Sequence, residues 1–364
     1  MIETPEVLII GGGPAGLSAA REAVLAGCRT TLLDDSFDLG GQLVKQTHKF
    51  FGSEMEFAGV RGIWISEKIL DGVKNNPNFK YYLRTVASGY YEDGVVSAVF
   101  EEKKVLKFKP QKLIVATGAI EKTIPFPNND IPGVYGAGAV QTLMNVYGVK
   151  PGNRGLMIGA GNIGLIVSYQ LRQAGVDVAA VVEAAEKVGG YWVHASKIAR
   201  LGIPILTRTT ILEALGKDCV EGAIIADVDD NWNPIANTER KIECDFICLA
   251  VGLSPLTDIL RLAECRMVFV PELGGEVPLR NDDNRTTVDW IYIAGDAGGV
   301  EEASSAIIEG AIAGLSAAHT LGKNPPDFDK RKKSLIAELK TLRSGPVGDR
   351  IRCGLDFCTL EELI

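Results

Sequence analysis

Two glycine-rich loops, Gly11-Gly12-Gly13-Pro14-Ala15-Gly16 and Gly159-Ala160-Gly161-Asn162-Ile163-Gly164, recur in one chain, each after an apolar run and before an amphipathic stretch. A pyrophosphate can approach the backbone only where no Cβ intervenes, and the helix that follows offers it unpaired N–H groups and a positive dipole end. Around the first loop, Val7-Leu8-Ile9-Ile10 reads as a buried parallel strand, Pro14 to Ala26 as a helix and Gly27 as its stop. A second strand, Thr30 to Leu33, ends at Asp34, 18 residues past Gly16. That is close to the roughly 20-residue offset at which a carboxylate meets a ribose hydroxyl pair. A glycine loop alone also arises from packing, so the strand, helix and acid in register give the motif its specificity.

The second loop repeats the pattern: strand Gly155 to Ile158, helix Ile163 to Ala174, stop Gly175, strand Val178 to Val182 and acid Glu183, 19 residues past Gly164. A carboxylate there favours a free 2′-hydroxyl over a 2′-phosphate, and Ala184, Ala185 and Glu186 include no Arg or Lys to reverse the preference. Gly159, Gly161, Asn162, Ile163, Gly164 and Glu183 are therefore read as an NAD(H) site, with NADP the less favoured ligand; a structural relic, or an adenine nucleotide held without redox work, is the alternative.

The 364 residues suffice for two or three domains, and 46% apolar content with 41 glycines fits a globular α/β chain rich in tight turns. A net charge of −8 argues against a nucleic-acid-tracking surface and against a polybasic membrane patch. No apolar run reaches the roughly 18 to 20 residues of a membrane span, and the N-terminus enters a strand without a signal-peptide pattern. A cytoplasmic protein is expected. The seven cysteines, Cys28, Cys219, Cys244, Cys248, Cys265, Cys353 and Cys358, form an odd set consistent with reduced thiols, most of them core residues.

The first unit continues through Gly40-Gly41-Gln42-Leu43, a helix from Ile63 to Asn75, β-like runs at Tyr81 to Tyr91, Val95 to Glu101 and Val105 to Lys109, and a buried strand, Lys112 to Ala116. That strand ends in Ala116-Thr117-Gly118, a small-residue turn beside which a nucleotide can pass. Pro125, Pro127 and Pro132 mark a rigid passage into the second unit, and Leu249 to Pro255 an exit from it. Strand Trp290 to Ala294, the turn Gly295-Asp296-Ala297-Gly298-Gly299 and a helix from Glu301 to Leu321 return to the first unit. The expected fold class is α/β: two Rossmann-like three-layer domains, one spanning residues 1–121 and 254–325, the other, 122–253, inserted in it. Residues 326–364 form a charged tail whose Lys330 to Arg343 stretch reads as a solvated helix.

Gly11 to Gly16, Gly40-Gly41-Gln42-Leu43, Val115 to Gly118, Gly159 to Gly164 and Ala294-Gly295-Asp296 together resemble the flavoproteins with two dinucleotide-binding domains, the superfamily of thioredoxin and glutathione reductases. The resemblance spans roughly residues 5 to 325. It implies that the first loop holds FAD, through Gly11, Gly13, Pro14, Ala15, Gly16, Asp34, Gly41, Gln42, Thr117, Gly118, Gly295 and Asp296, with Asp296 on the ribityl chain. A helix starting near Val300 would aim its N–H groups at whatever lies beside Asp296, stabilising an anionic reduced ring. An ordinary N-cap is the alternative role for Asp296.

The run Thr117 to Lys122, with Pro125-Phe126-Pro127, Ile131 to Val134, Gly138 to Leu143, Glu309-Gly310 and Ala313-Gly314, is similar to the FAD/NAD subunits of heteromeric amine and imino acid dehydrogenases. Sarcosine oxidase, opine oxidase, dye-linked proline dehydrogenase and hydrogen cyanide synthase belong to that group. The resemblance implies a partner flavoprotein or iron–sulfur electron-transfer subunit in a hetero- or homo-oligomer. Members often continue into a cysteine-rich iron–sulfur module, whereas here only Cys353 matches its opening and Leu355 stands at the second cysteine's place. Four thiolates are the usual need of such a cluster, so no metal is expected on this tail.

Disulfide reductases of the superfamily need a redox-active Cys-x-x-Cys or a related pair, and both usual positions are empty here. Of three histidines, His319 reads as packed or surface-exposed and His194 as a loop or helix-face residue; His48, near Gly40-Gly41-Gln42, is the one catalytic candidate, and a structural role is favoured for it. Hydride transfer needs little acid–base machinery from the protein once two rings are stacked. The leading reading is an FAD-dependent oxidoreductase that exchanges hydride with NAD(H) and passes electrons to or from a partner. Two others stay open: one component of an amino or imino acid dehydrogenase, and a non-redox nucleotide-binding protein.

Overall fold

The computed structural model describes residues 2–323, 325 and 327–360; Pro326 and residues 361–364 of the tail lie outside the described residues. The chain divides into two compact units, residues 1–120 with 254–364 and residues 121–253.

In the first unit, the four residues of strand Val7–Ile10 are all buried, as a strand covered on both faces must be. It is the centre of a five-stranded parallel sheet in the order Ile291–Ile293, Lys112–Val115, Val7–Ile10, Thr30–Leu33, Phe79–Tyr82. Registers Ile10↔Leu33, Ile10↔Val115 and Ile293↔Val115 bring three strand ends level with Ile10. The segments leaving them, Gly11 to Gly16, Asp34, Ala116 to Gly118 and Gly295-Asp296, therefore emerge at one edge, where open α/β sheets bind ligands.

One face of this sheet is covered by helices Pro14–Leu25 and Ala303–Thr320, whose Leu17, Ala20, Ala313 and Ala317 pack with Val7, Ile9 and Ile114. The two helices touch backbone to backbone. A Cβ at Gly310 would lie 2.0 Å from the Ala15 carbonyl oxygen, and one at Gly314 would lie 2.3 Å from that of Ala19. The other face carries an antiparallel layer, Thr85–Tyr90, Val96–Phe100 and Lys104–Phe108, edged in parallel by Ile2–Glu3. Its Val96, Ala98 and Phe108 pack with Leu8, Ile10, Leu113 and Val115.

The second unit has the same plan. A parallel sheet runs Val134–Gly136, Phe246–Leu249, Arg154–Ile158, Asp177–Val182, Ile205–Leu206, with Ile158 level with both Val182 and Leu249. Helices Asn162–Gln173 and Trp192–Arg200 pack Leu165, Leu171 and Ile198 with Met157 and Val181. An antiparallel layer, Thr209–Leu215, Gly222–Asp227 and Arg240–Ile242, sets Ile211, Ala223 and Ile225 with Leu156, Ile158 and Ala180. The chain is thus a mixed α/β protein with two parallel Rossmann-type sheets, as its sequence leads one to expect.

Three expectations change. The helix from Ile63 ends at Leu70 rather than Asn75, because the chain turns at Asp71 and Gly72, where φ is +77°. The run Tyr81 to Tyr91 splits into Phe79–Tyr82 and Thr85–Tyr90 at Arg84, whose φ is +50°, and its halves serve different sheets. The tail helix, Phe328–Leu342, is not solvated all round: Leu335 and Leu339 are buried with Ile308, Ile312 and Leu315. Charged residues dominate its composition, and two leucines four apart supply the apolar stripe.

Gly310→Val forces a side chain into the space held by the Ala15 carbonyl. It should destabilise the protein by about 3 kcal/mol, read as a lowered urea midpoint with unchanged slope. An unaltered midpoint would mean that the two helices can part freely.

Candidate dinucleotide-binding sites

Each glycine of the first loop has its own task. Gly11 has φ +106°, and a Cβ on it would lie 2.1 Å from the Ala116 carbonyl oxygen; one on Gly16 would lie 1.8 Å from the Gly11 oxygen. These two let strand, turn and helix start press together. At Gly13, the helix N-cap, a Cβ would make only an ordinary contact, with the Gly41 Cα at 3.9 Å, so packing does not demand a glycine there. Pro14 follows at the first helical position, and no side chain caps the helix. The first-turn N–H groups, including those of Ala15 and Gly16, are of the kind an anion completes.

Asp34 is locked to this loop. Its Oδ2 accepts the Gly12 N–H at 2.5 Å and its Oδ1 the Ser36 N–H at 2.8 Å. Burial pushes its carboxyl above the usual range, and these two N–H donors oppose the shift. The Gly40 N–H donates to the Gly12 oxygen at 2.8 Å, and a Cβ at Gly41 would meet the Gly13 Cα at 2.7 Å. The Gly40-Gly41 turn thus lies on the loop, and Gln42 is exposed beside it.

From the neighbouring strand ends, Thr117 Oγ1 donates to the Leu256 oxygen at 2.6 Å, and the Leu256 N–H returns a bond to Gly118 O at 3.0 Å. Nothing lies within 4 Å of where a Gly118 Cβ would be. Gly295, with φ +69°, would place a Cβ 2.8 Å from that of Ala15, so the turn bearing Asp296 abuts the first helix. Asp296 Oδ1 accepts the Glu301 N–H at 3.3 Å. Desolvation raises its carboxyl to about 7; the Glu309, Glu301 and Glu302 carboxylates add to the rise, and the Glu301 N–H works against it. A short 3-10 turn, Gly295–Gly298, and an extended link precede the helix, which starts at Ala303 with Glu302 as N-cap. The helix therefore begins three residues later than Val300, and Asp296 is not its N-cap.

The second loop reproduces the first atom for atom in its essentials. Gly159 has φ +107° and would place a Cβ 2.3 Å from Ala250 O; one on Gly164 would lie 2.0 Å from Gly159 O, and Gly161 has nothing within 4 Å. Glu183 Oε2 accepts the Ala160 N–H at 2.8 Å and Oε1 that of Ala185 at 2.9 Å. Ile163 remains partly exposed at the helix start, and Asn162 Oδ1 accepts the Tyr191 N–H at 2.8 Å.

Sequence reading missed two things here. The Gly190 N–H donates to Ala160 O at 3.0 Å, as Gly40 does to Gly12. The glycine pair Gly189-Gly190 thus lies on the second loop as Gly40-Gly41 lies on the first, with the bonding N–H one position further on, and the pair is visible in the sequence once the acids are aligned. Arg208 also reaches the loop after Glu183: its N–H donates to Ala185 O at 3.1 Å, and its guanidinium pairs with Glu186 at 3.5 Å and Asp230 at 2.7 Å. It arrives from the bend between strands Ile205–Leu206 and Thr209–Leu215, outside the window of local neighbours.

His48 stacks on Phe50 with ring centroids 5.8 Å apart, His319 on Phe328 at 4.0 Å, and His194 is buried on its helix, where burial lowers its pKa. All seven cysteines are free thiols, with only Cys219 and Cys353 exposed. Burial pushes the Cys28 thiol up to about 11 and the Cys244 thiol up to about 12, which disfavours the reactive thiolate. Among the described residues no group of three or more His, Cys, Asp or Glu is arranged to hold a metal, and no helix is long and apolar enough to cross a membrane.

Bare backbone at two uncapped helix starts, each beside an acid fixed by loop N–H groups, fits the pyrophosphate and ribose of a dinucleotide. Comparison with known proteins agrees. Residues 5–310 match the family described as pyridine nucleotide-disulphide oxidoreductase. The alpha subunit of sarcosine oxidase from Corynebacterium sp. (strain P-1) is 26% identical over 333 residues, covering 87% of this chain and 33% of that protein. An opine oxidase subunit from Agrobacterium tumefaciens (strain Ach5) is 26% identical over 330 residues, covering 86% of this chain and 65% of that protein. The crystal structure of L-proline dehydrogenase from P. horikoshii superposes with a TM-score of 0.69 at 25% identity, over 92% of this chain and 60% of that one. The chain thus spans a third to two thirds of these proteins' length.

Because the folded chain raises the Asp296 carboxyl from 3.8 to about 7, it holds that proton more tightly than the unfolded chain does. The associated stability is present in acid and is lost as pH rises through this interval. In cofactor-free protein, Asp296→Asn should flatten that loss, so the variant gains on the wild type between about pH 4 and about pH 7.5. Parallel denaturation midpoints across that range, unchanged in their difference, would contradict the assignment.

Proposed function

This chain belongs to the pyridine nucleotide-disulphide oxidoreductase family, and from that premise we propose that it is an FAD-dependent unit that exchanges hydride with NAD(H) and trades electrons with a partner protein. The observation that carries the reading is the duplicated cradle: Gly12 N–H to Asp34 in one unit, Ala160 N–H to Glu183 in the other. Two such cradles in one chain suit two dinucleotides.

In this reading residues 1–121 and 254–325 form the FAD domain and 122–253 the NAD domain. Gly13, Pro14, Ala15 and Gly16 face the FAD pyrophosphate, Asp34 the ribose, and Asp296 the ribityl chain. Gly41, Gln42, Thr117, Gly118 and Gly295 shape the cleft around them. Gly161, Asn162, Ile163 and Gly164 receive the second pyrophosphate, and Glu183 its adenosine ribose. When bound, FAD supplies the ring that takes up or releases hydride. The protein's part is to bind, orient and screen; His48 has no assigned step. Glu183 favours NAD(H) because its charge repels a 2′-phosphate, while Arg208 is committed to Glu186 and Asp230.

A narrower reading makes the chain one component of an amino or imino acid dehydrogenase, with a flavoprotein or iron–sulfur partner. It is favoured because the matched relatives are named subunits of sarcosine and opine oxidases, and the matched structure is a proline dehydrogenase. The buried, protonated thiols suit electron delivery to a companion chain rather than disulfide exchange on this one. A cytoplasmic setting fits free thiols.

Glu183→Ala removes a charged partner worth roughly 1.5 to 3 kcal/mol. With a dye as electron acceptor, kcat/KM for NADH should fall about tenfold or more, and that for NADPH should fall less or rise. An unchanged NADH to NADPH ratio would overturn the assignment of this site.

A further inference from the structure

The segment bearing Asp296 is held by a buried charge cluster that lies outside both glycine loops. Glu309, in the middle of helix Ala303–Thr320, is 3% exposed. Its Oε2 accepts the Gly295 N–H at 2.9 Å, and its Oε1 accepts Arg280 at 3.2 Å and Arg343 at 2.6 Å. Arg280, as deeply buried, also donates to Gly298 O at 2.8 Å. Arg343 grips Glu301 as well, through Nε at 3.0 Å and Nη2 at 2.6 Å, and the Glu301 N–H is the donor to Asp296 Oδ1.

Both ends of the Gly295–Gly298 turn and the residue that bonds Asp296 are therefore tied into one set of two guanidiniums and two carboxylates. Burial alone would raise the Glu309 carboxyl, but Arg280 and Arg343 hold it below its ordinary value. Asp296 faces the carboxylates of Glu309, Glu301 and Glu302, and the two arginines offset them. Removing one member of a buried set leaves another charge uncompensated.

Arg343 comes from the tail, beyond residue 310, where the family match ends. The tail is anchored around it. Leu335 and Leu339 pack on helix Ala303–Thr320, Cys358 O accepts the Arg280 N–H at 2.9 Å, and the Leu360 N–H donates to Arg280 O at 2.8 Å.

We propose that Arg343 is a positioning residue for the flavin-side turn: by pairing Glu301 and Glu309 it fixes Asp296 and balances the charge around it, so that tail docking governs the grip on FAD. The proposal rests on the reading that the first unit holds FAD with Asp296 on the ribityl chain. Arg343 acts through Glu301 and Glu309, without touching the cofactor.

The test compares wild type, Arg343→Met and Arg343→Lys in the full chain. FAD release is followed by visible absorbance and fluorescence across pH, and folding by thermal melting. Arg343→Met should release FAD about tenfold faster or more, with the pH midpoint of release moved upward because Asp296 becomes harder to ionise. Arg343→Lys keeps the charge but lacks the planar fork, so it should restore the midpoint and only part of the retention. Folded Arg343→Met with wild-type release and an unmoved pH midpoint would overturn the proposal. If that variant does not fold, the Glu301→Gln, Arg343→Met pair, which removes both charges together, gives the same reading: faster release supports the proposal and wild-type release overturns it. Wild-type protein that neither carries nor takes up FAD would instead overturn the FAD reading itself.

Discussion

In each unit one hydrogen bond joins the two halves of the proposed nucleotide cradle: a backbone N–H within the glycine loop, donated to a carboxylate at the end of the next strand. Gly12 to Asp34 spans 2.5 Å and Ala160 to Glu183 spans 2.8 Å. The bond forms because parallel register sets Ile10 level with Leu33 and Ile158 level with Val182, so loop and acid leave the sheet side by side. It also places each helix start, and with it the open N–H groups, at a fixed distance from the acid. A dinucleotide has its pyrophosphate and ribose at a fixed distance too, and the sheet supplies the ruler.

The close contacts behind this arrangement exclude side chains at particular places. Gly11 and Gly159 press on the carbonyls of Ala116 and Ala250, Gly16 and Gly164 on the preceding loop, and Gly310 and Gly314 on the first helix. Gly13 and Gly161 are different, since a Cβ at Gly13 would make only an ordinary contact with the Gly41 Cα at 3.9 Å and one at Gly161 would meet nothing within 4 Å. The first group holds the fold together, and the second leaves room for a ligand. Strain and packing account for six of these eight glycines without any cofactor, which leaves two to argue for one.

Much of this was legible in the sequence because it is local. A four-residue apolar run, a glycine spacing and an acid 18 or 19 positions on are read within one window, and they located the strands, helices and acids of both loops to within a residue or two. What escaped was non-local. Arg208 reaches the loop after Glu183 from the bend between strands Ile205–Leu206 and Thr209–Leu215, Gly190 pairs with Ala160 across 30 residues, and Arg343 reaches Glu301 and Glu309 across 42 and 34. The tail's two core leucines were hidden among its charges, and the start of the late helix was displaced by a turn whose geometry depends on Glu309.

Catalysis in this account is a matter of holding rather than of proton transfer. Five of the seven thiols are buried, and the proposal rests on the two cradles and the charge cluster behind Asp296. Anaerobic titration of the purified chain with NADH, read in the visible flavin band, addresses that most directly. Bleaching at about one NADH per flavin is the result the account predicts. A flavin band that persists under excess NADH would contradict it, because the second cradle would then have no redox traffic with the first.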